Sequence, residues 1–187
     1  MEIFNNLYKI EIYLISMEKN LQRKYLPEFV YGGTDGAITT FAVVAGVLGA
    51  SLSSTIVLIL GFANLVADGF SMAVSNYLST RSQGDLRKSK NGKDPRKTAL
   101  VTFIAFAIIG FIPLFSFVIA SFFSHIDANK FLYSIILTGI AFIVIGYIRG
   151  KVANKSSFRT SIETLTIGGI AAFLAYLVGY LLKGLVG

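Results

Sequence analysis

Two aspartates, Asp35 and Asp68, stand inside apolar stretches long enough to cross a bilayer, Phe29 to Ala50 and Thr55 to Leu78. A carboxylate at that depth costs a few kcal/mol on insertion scales, so it normally faces a bundle interior or a wetted path and handles protons or ions. At a rise of about 1.5 Å per residue, Asp35 lies roughly 9 Å in from one end of its stretch and Asp68 roughly 21 Å in from the opposite end of its own; in a core of about 30 Å the two reach a similar depth. Met72 is one turn beyond Asp68 on the same helical face. Asn64, Asp68, Ser71, Met72, Ser75 and Asn76 together form a polar stripe down an otherwise apolar helix. Carboxylate oxygens suit hard cations and a thioether sulfur prefers softer ones, so the combination points to a divalent transition metal. Residue types alone leave a structural alternative open, in which Asp35 caps the start of its helix, Asp68 hydrogen-bonds a neighbouring helix and Met72 merely packs.

Other chemistry finds little support. No His or Cys falls in any apolar stretch, and the serines there have no basic partner in register, which argues against intramembrane hydrolysis. An aspartyl pair cutting peptides would need more room than five short helices provide. With no cysteine in the chain, disulfides and thiolate metal sites are excluded. His125 and Asp127 read as a solvated pair in an outer loop. Glu163 falls in the first turn of the last apolar run, where a carboxylate favours the helix dipole. The spacing calls for no cofactor and no enzyme activity; a metal here would be cargo.

The elements that must position these residues are membrane spans. Hydrophobic residues make up 54% of the 187 and charged ones only 14%, more apolar than a soluble domain of this size. The expected fold is an all-α integral membrane protein with spans near 29–50, 55–80, 99–123, 131–149 and 164–182, forming a domain over 28–187. Residues 1–27 alternate apolar and charged positions at helical spacing, which suits a helix lying on the cytoplasmic membrane surface and ended by Pro27; a cleavable or disordered tail is the alternative. No secretory cleavage pattern precedes the first span. With the N-terminus inside, all seventeen Lys and Arg except Lys130 and Lys183 fall on the cytoplasmic side, which fixes the orientation, leaves the C-terminus outside and removes the nucleic-acid reading of the +7 net charge. Anionic-lipid contact is a secondary effect of that charge. Ala42, Gly46 and Ala50 repeat at four-residue intervals, suited to close helix packing within the chain or at a homodimer seam. Pro113 should kink the third span, and the second, from Thr55 to Thr80, is long enough to project beyond the core into the cytoplasm.

The run from Asp35 to Ala50, DGAITTFAVVAGVLGA, followed by GFANLVADGFSMAVSNYLSTRSQ from Gly61 to Gln83, resembles the vacuolar iron transporter family. The resemblance continues through FIAFAIIGFIPL and GGIAAFLAYLVG and covers residues 29 to 183. It implies a five-helix protomer in a homodimer with the ion path between subunits, exporting Fe2+ and often Mn2+ from the cytoplasm in exchange for protons. Carried over by motif, Asp35 and Met72 match transport-site ligands, and Asp68 is a supporting ligand or packing group. Asn76 stands where many relatives have glutamate, so the candidate metal set is Asp35, Met72, Asp68 and Asn76. Relatives also insert a metal-collecting domain between spans two and three, whereas Arg81 to Lys97 here is short and holds seven basic residues against Asp85 and Asp94. A metal-independent membrane interaction module and a carrier of another small cation are the competing readings. Zero cysteines and the small size suit a prokaryotic plasma membrane.

Overall fold

The computed structural model describes the backbone of residues 2–87 and 92–186, with side chains over 23–86, 92–123 and 125–185. Everything regular in it is helical: α1 (Glu2–Gly49), α2 (Ser54–Arg87), α3 (Pro95–Gly110), α4 (Ile112–Ala120), α5 (Ser124–Asp127), α6 (Lys130–Val152) and α7 (Ser157–Val186). Pro27 does not end a separate helix; it lies inside α1. One internal proline removes a single backbone hydrogen bond and crowds the carbonyl four residues back, a local cost that the helix-forming residues on both sides absorb. The apolar side chains expected to rest on the membrane surface, Ile3 to Ile15, lie outside the described side chains.

Local chemistry sets the breaks. At the far end of α1 the Ser51 amide donates to the Leu48 carbonyl and the Leu52 amide to Val47, with Ser51 at φ 57°, the paired bonds of a Schellman turn. Asp94 caps α3 by accepting from the Arg96 amide, and Pro95 follows at the first helical position, where its missing N–H is no loss. The third apolar run is broken at Phe111 into α3 and α4, bent by 45°. Pro113 lies in the first turn of α4 and would clash with the Ile109 carbonyl in a straight helix, so the expected kink is realised as a break.

Among the described residues, α2, α6 and α7 are each long and apolar enough to cross a membrane, and the α3–α4 pair makes a fourth. The second half of α1 falls short of that standard, because Gly32, Gly33, Thr34, Asp35, Gly36, Thr39 and Thr40 dilute its hydropathy. Large apolar side chains exposed on α2, α6 and α7, such as Ile59, Phe70, Ile140, Ile170 and Phe173, complete the picture of an α-helical integral membrane protein.

α1 is the hub, packed most extensively on α3 and α7 and also touching α2, α4 and α6. Its glycines permit that. A Cβ on Gly36 would strike the Phe106 carbonyl, one on Gly32 the Thr102 carbonyl and one on Gly49 the Tyr176 carbonyl. The order of these contacts, 32 with 102 and 36 with 106, makes α1 and α3 parallel; Gly46 against Ala175 and Gly49 against Tyr176 do the same for α7. Asn76 bonded to Thr102 and Thr98 bonded to Thr80 make α2 antiparallel to α3, and so to α1. Inside this frame, Phe41, Val44, Leu65, Met72, Phe106, Leu114 and Phe117 form the apolar core.

Charged groups gather at the ends. At one, the Lys93 ammonium bonds the buried Glu28 carboxylate at 2.6 Å, Lys24 donates to the Gly92 carbonyl, and Arg149 pairs with Glu163. At the other, Lys130 pairs with Asp127 and Lys183 donates to the Ser51 hydroxyl. The close approach of α1 to α3 makes a prediction. Gly36→Ala must push two backbones apart and should cost about 1–3 kcal/mol, several degrees of melting temperature in detergent. Gly169→Ala, with open space around its Cβ, should leave the melting temperature unchanged or slightly raised. Equal melting of the two variants would contradict the packing described.

Candidate metal site between α1 and α2

Side-chain hydrogen bonds fix the register of α1 and α2. The Asn64 amide on α2 donates to the hydroxyls of Thr39 at 3.2 Å and Thr40 at 3.3 Å on α1, and the Thr39 hydroxyl donates back to the Asp35 carbonyl at 2.9 Å. From that crossing, one turn back along α1 reaches Asp35 and one turn on along α2 reaches Asp68. The residues counted to a matched depth therefore stand at one level on facing helices. Asp68 lies near enough to Asp35 for their negative charges to interact. Both residues are half-buried.

Among the described residues neither carboxylate has a partner. Among the described residues, every ion pair and side-chain hydrogen bond goes elsewhere, and Asp35 contributes only its backbone carbonyl. A capping role for Asp35 is ruled out as well, because α1 starts at Glu2 and Asp35 is deep within it. Two adjacent carboxylates without a donor or counter-ion, at the depth of an apolar slab, call for protons or a cation to neutralise them.

The rest of the polar stripe on α2 does not form one surface. Met72 is 7% exposed and belongs to the apolar core, one turn from Asp68. Asn76 donates its amide to the Thr102 hydroxyl at 2.6 Å, and Thr102 in turn donates to the Thr98 carbonyl, so this group ties α2 to α3. Ser71 and Ser75 are exposed on the open side. The structure thus brings Asp35 and Asp68 together, sets Met72 in the packing behind them and commits the Asn76 amide to a neighbouring helix. Among the described residues no three Asp, Glu, His or Cys side chains converge on a point that could hold a metal.

Glu28 escaped the sequence reading. It is 8% exposed, with one carboxylate oxygen on Lys93 and the other, Oε2, buried without a partner. It lies seven residues before Asp35, two turns along nearly the same face and about 10 Å away. That spacing was the available signal, obscured because Glu28 falls at the edge of the apolar run and beside the proline taken as a boundary. His125 lies in short α5 and Glu163 is committed to Arg149, so neither approaches the α1–α2 pair.

The chain is 25% identical to a vacuolar iron transporter of Toxoplasma gondii (strain ATCC 50861 / VEG), over 90% of this chain and 78% of that protein. It is 25% identical to a vacuolar iron transporter of Plasmodium falciparum (isolate 3D7), over 88% and 84%, and 24% identical to vacuolar iron transporter 1 of Eucalyptus grandis, over 80% and 83%. The profile of the VIT family matches residues 26–94 and 86–180, which take in α2, α3, α4, α6 and both aspartates. By that match, which spans most of its length, this chain is a member of the VIT family.

Proposed function

We propose that this protein is a transporter, not an enzyme, and that it moves divalent transition metal, Fe2+ and also Mn2+, out of the cytoplasm in exchange for protons. The observation that carries the reading is the pair of carboxylates, Asp35 and Asp68, at one level on facing helices and, among the described residues, without a partner. The relatives' names supply the cargo: each is called a vacuolar iron transporter.

The working unit is a homodimer. Two carboxylates give a divalent ion too few ligands, and no third acidic or imidazole group joins them within the described residues. The open side of α2 next to Asp68 exposes Leu60, Ala67 and Leu78, and α1 exposes Tyr31 one turn before Asp35. A second copy laid against this face would cover the apolar ring and bring a second Asp35 and Asp68 to the ion. Met72 would supply sulfur by a rotamer change out of the core, and the Asn76 carbonyl oxygen, not engaged by Thr102, would serve as a neutral ligand toward the cytoplasmic mouth.

Five helical units cross the membrane in this reading. α1 runs parallel to α3–α4 and α7 and antiparallel to α2 and α6, so its polar second half is carried through the slab by the four apolar units around it. The basic end, with Lys93, Arg149 and Lys151, is cytoplasmic, and the end with Lys183 is outside. The family profile matches in two pieces that meet at 86–94, and the alignment with the Toxoplasma protein runs over 234 positions against 187 residues here. Both support a short basic connection here where relatives carry additional sequence. The relatives are vacuolar by name, and export from the cytoplasm suits a vacuolar and a plasma membrane alike.

Proton coupling follows from the ligands. Ionised, the aspartates hold the metal; protonated on the acidic side, they release it, and the neutral pair returns. In proteoliposomes with a pH gradient, ferrous iron should accumulate on the acidic side, and Asp35→Ala should lower the initial rate by at least about tenfold, the scale of losing part of a metal site. Uptake unchanged by Asp35→Ala would refute the site. Met72→Leu keeps the packing volume and removes sulfur, so it should reduce the preference for iron over calcium while the melting temperature holds; an unaltered preference would remove Met72 from the ligand set. The absence of native cysteine makes the dimer directly testable. Ala67→Cys should give an oxidised, covalently linked dimer in membranes, whereas Phe173→Cys on the exposed face of α7 should not, and the reverse pattern would place the interface elsewhere.

A further inference from the structure

Away from the aspartates, α6 carries a continuous face bordered by two cavities of opposite character. Near the basic end, a cavity of about 550 Å³ is lined by Arg23 from α1 and by Tyr147, Ile148, Lys151 and Asn154 from α6 and its exit turn. The Lys151 ammonium lies 5.5 Å from the centre of the Tyr147 ring, a contact that holds the cation at the rim. No ion pair among the described residues takes Arg23 or Lys151; Glu163, the acidic group at that end of α7, is committed to Arg149. Deeper, at the α3–α4 bend, a second cavity of about 450 Å³ is lined only by apolar side chains, including Ile109, Phe115, Leu137, Ile140 and Val144.

Leu137, Ala141, Val144, Ile148 and Lys151 recur at three- and four-residue steps, so one stripe of α6 joins the two cavities. From Lys151 to Leu137 the stripe runs about 21 Å, enough for a headgroup and one leaflet of a core about 30 Å thick. We propose that this track is a binding site for one anionic glycerophospholipid, its phosphate between Arg23 and Lys151 and one acyl chain lying along α6 into the apolar cavity. Cations confined to one end and hydrocarbon along the rest match an amphiphile with a single charged end; a partner membrane helix has no such polarity. Neither aspartate and no residue of α2 lines the track, so the site is separate from that of the cargo.

The test uses the full-length protein in phosphatidylcholine nanodiscs containing a minor share of phosphatidylglycerol, with retained lipid counted by native mass spectrometry. One phosphatidylglycerol per protomer should be retained in preference to phosphatidylcholine. Arg23→Gln with Lys151→Gln should weaken that retention about thirtyfold, on the scale of two cations near an anionic surface. Lys155→Gln with Arg159→Gln, which removes two cations from the neighbouring cavity, should leave it intact. Val144→Trp should expel the lipid with both cations still present, because it fills the track; Ile140→Trp replaces it if its melting temperature in pure phosphatidylcholine departs from wild type. Equal retention in all variants, an equal loss in the Lys155 and Arg159 control, or displacement by soluble glycerol phosphate would each overturn the proposal. So would a copurified peptide in place of the lipid.

Discussion

A carboxylate in hydrocarbon cannot stay ionised without a partner, and the described residues around Asp35 and Asp68 supply none. Every other acidic side chain that the structure draws into a contact is satisfied or partly so: Glu28 by Lys93, Asp127 by Lys130, Glu163 by Arg149, and Asp94 by the amide it caps. Asp85 lies exposed at the end of α2, so within the apolar stretches the two aspartates are the exception, and α1 and α2 are locked in register by Asn64, Thr39 and Thr40. A charge that the protein leaves uncompensated at depth is a demand for a mobile cation or proton. In that sense the site is defined by what its neighbours decline to do.

Small residues make this placement affordable. α1 is a poor membrane helix by hydropathy, yet Gly32, Gly36 and Gly49 let it approach the backbones of α3 and α7 until carbonyls sit where a Cβ would be. Van der Waals contact, which does not weaken in lipid, then holds a polar helix among apolar ones. Threonines within the bundle add little risk: Thr102, Thr138 and Thr164 each donate to the carbonyl four residues earlier, so their hydroxyls are satisfied within their own helices.

Much of this was legible in the residues. Depth counting placed Asp35 and Asp68 at one level, because helix rise is constant and the α1–α2 connection is short. The proline in the third run announced its bend, and the second run was long enough to overshoot the core, as α2 does in reaching Arg87. Other features were hidden for identifiable reasons. Pro27 read as a terminator because a sequence shows the lost hydrogen bond but not the continuing helix around it. The polar stripe on α2 read as one surface, although rotation of about 100° per residue and three different neighbours send Asn64 to α1, Asn76 to α3 and Met72 into the core. The Glu28–Lys93 pair joins residues far apart in the chain, and no local pattern encodes such a contact.

The central claim is that Asp35 and Asp68 are unpaired because an ion sits between them in the working protein. Crystals grown with Mn2+ and measured at the metal's absorption edge address it most directly. The account predicts an anomalous peak within bonding distance of both carboxylates, at the boundary between two copies of the chain. A map in which the metal binds elsewhere, while both aspartates accept hydrogen bonds from protein donors, would contradict it.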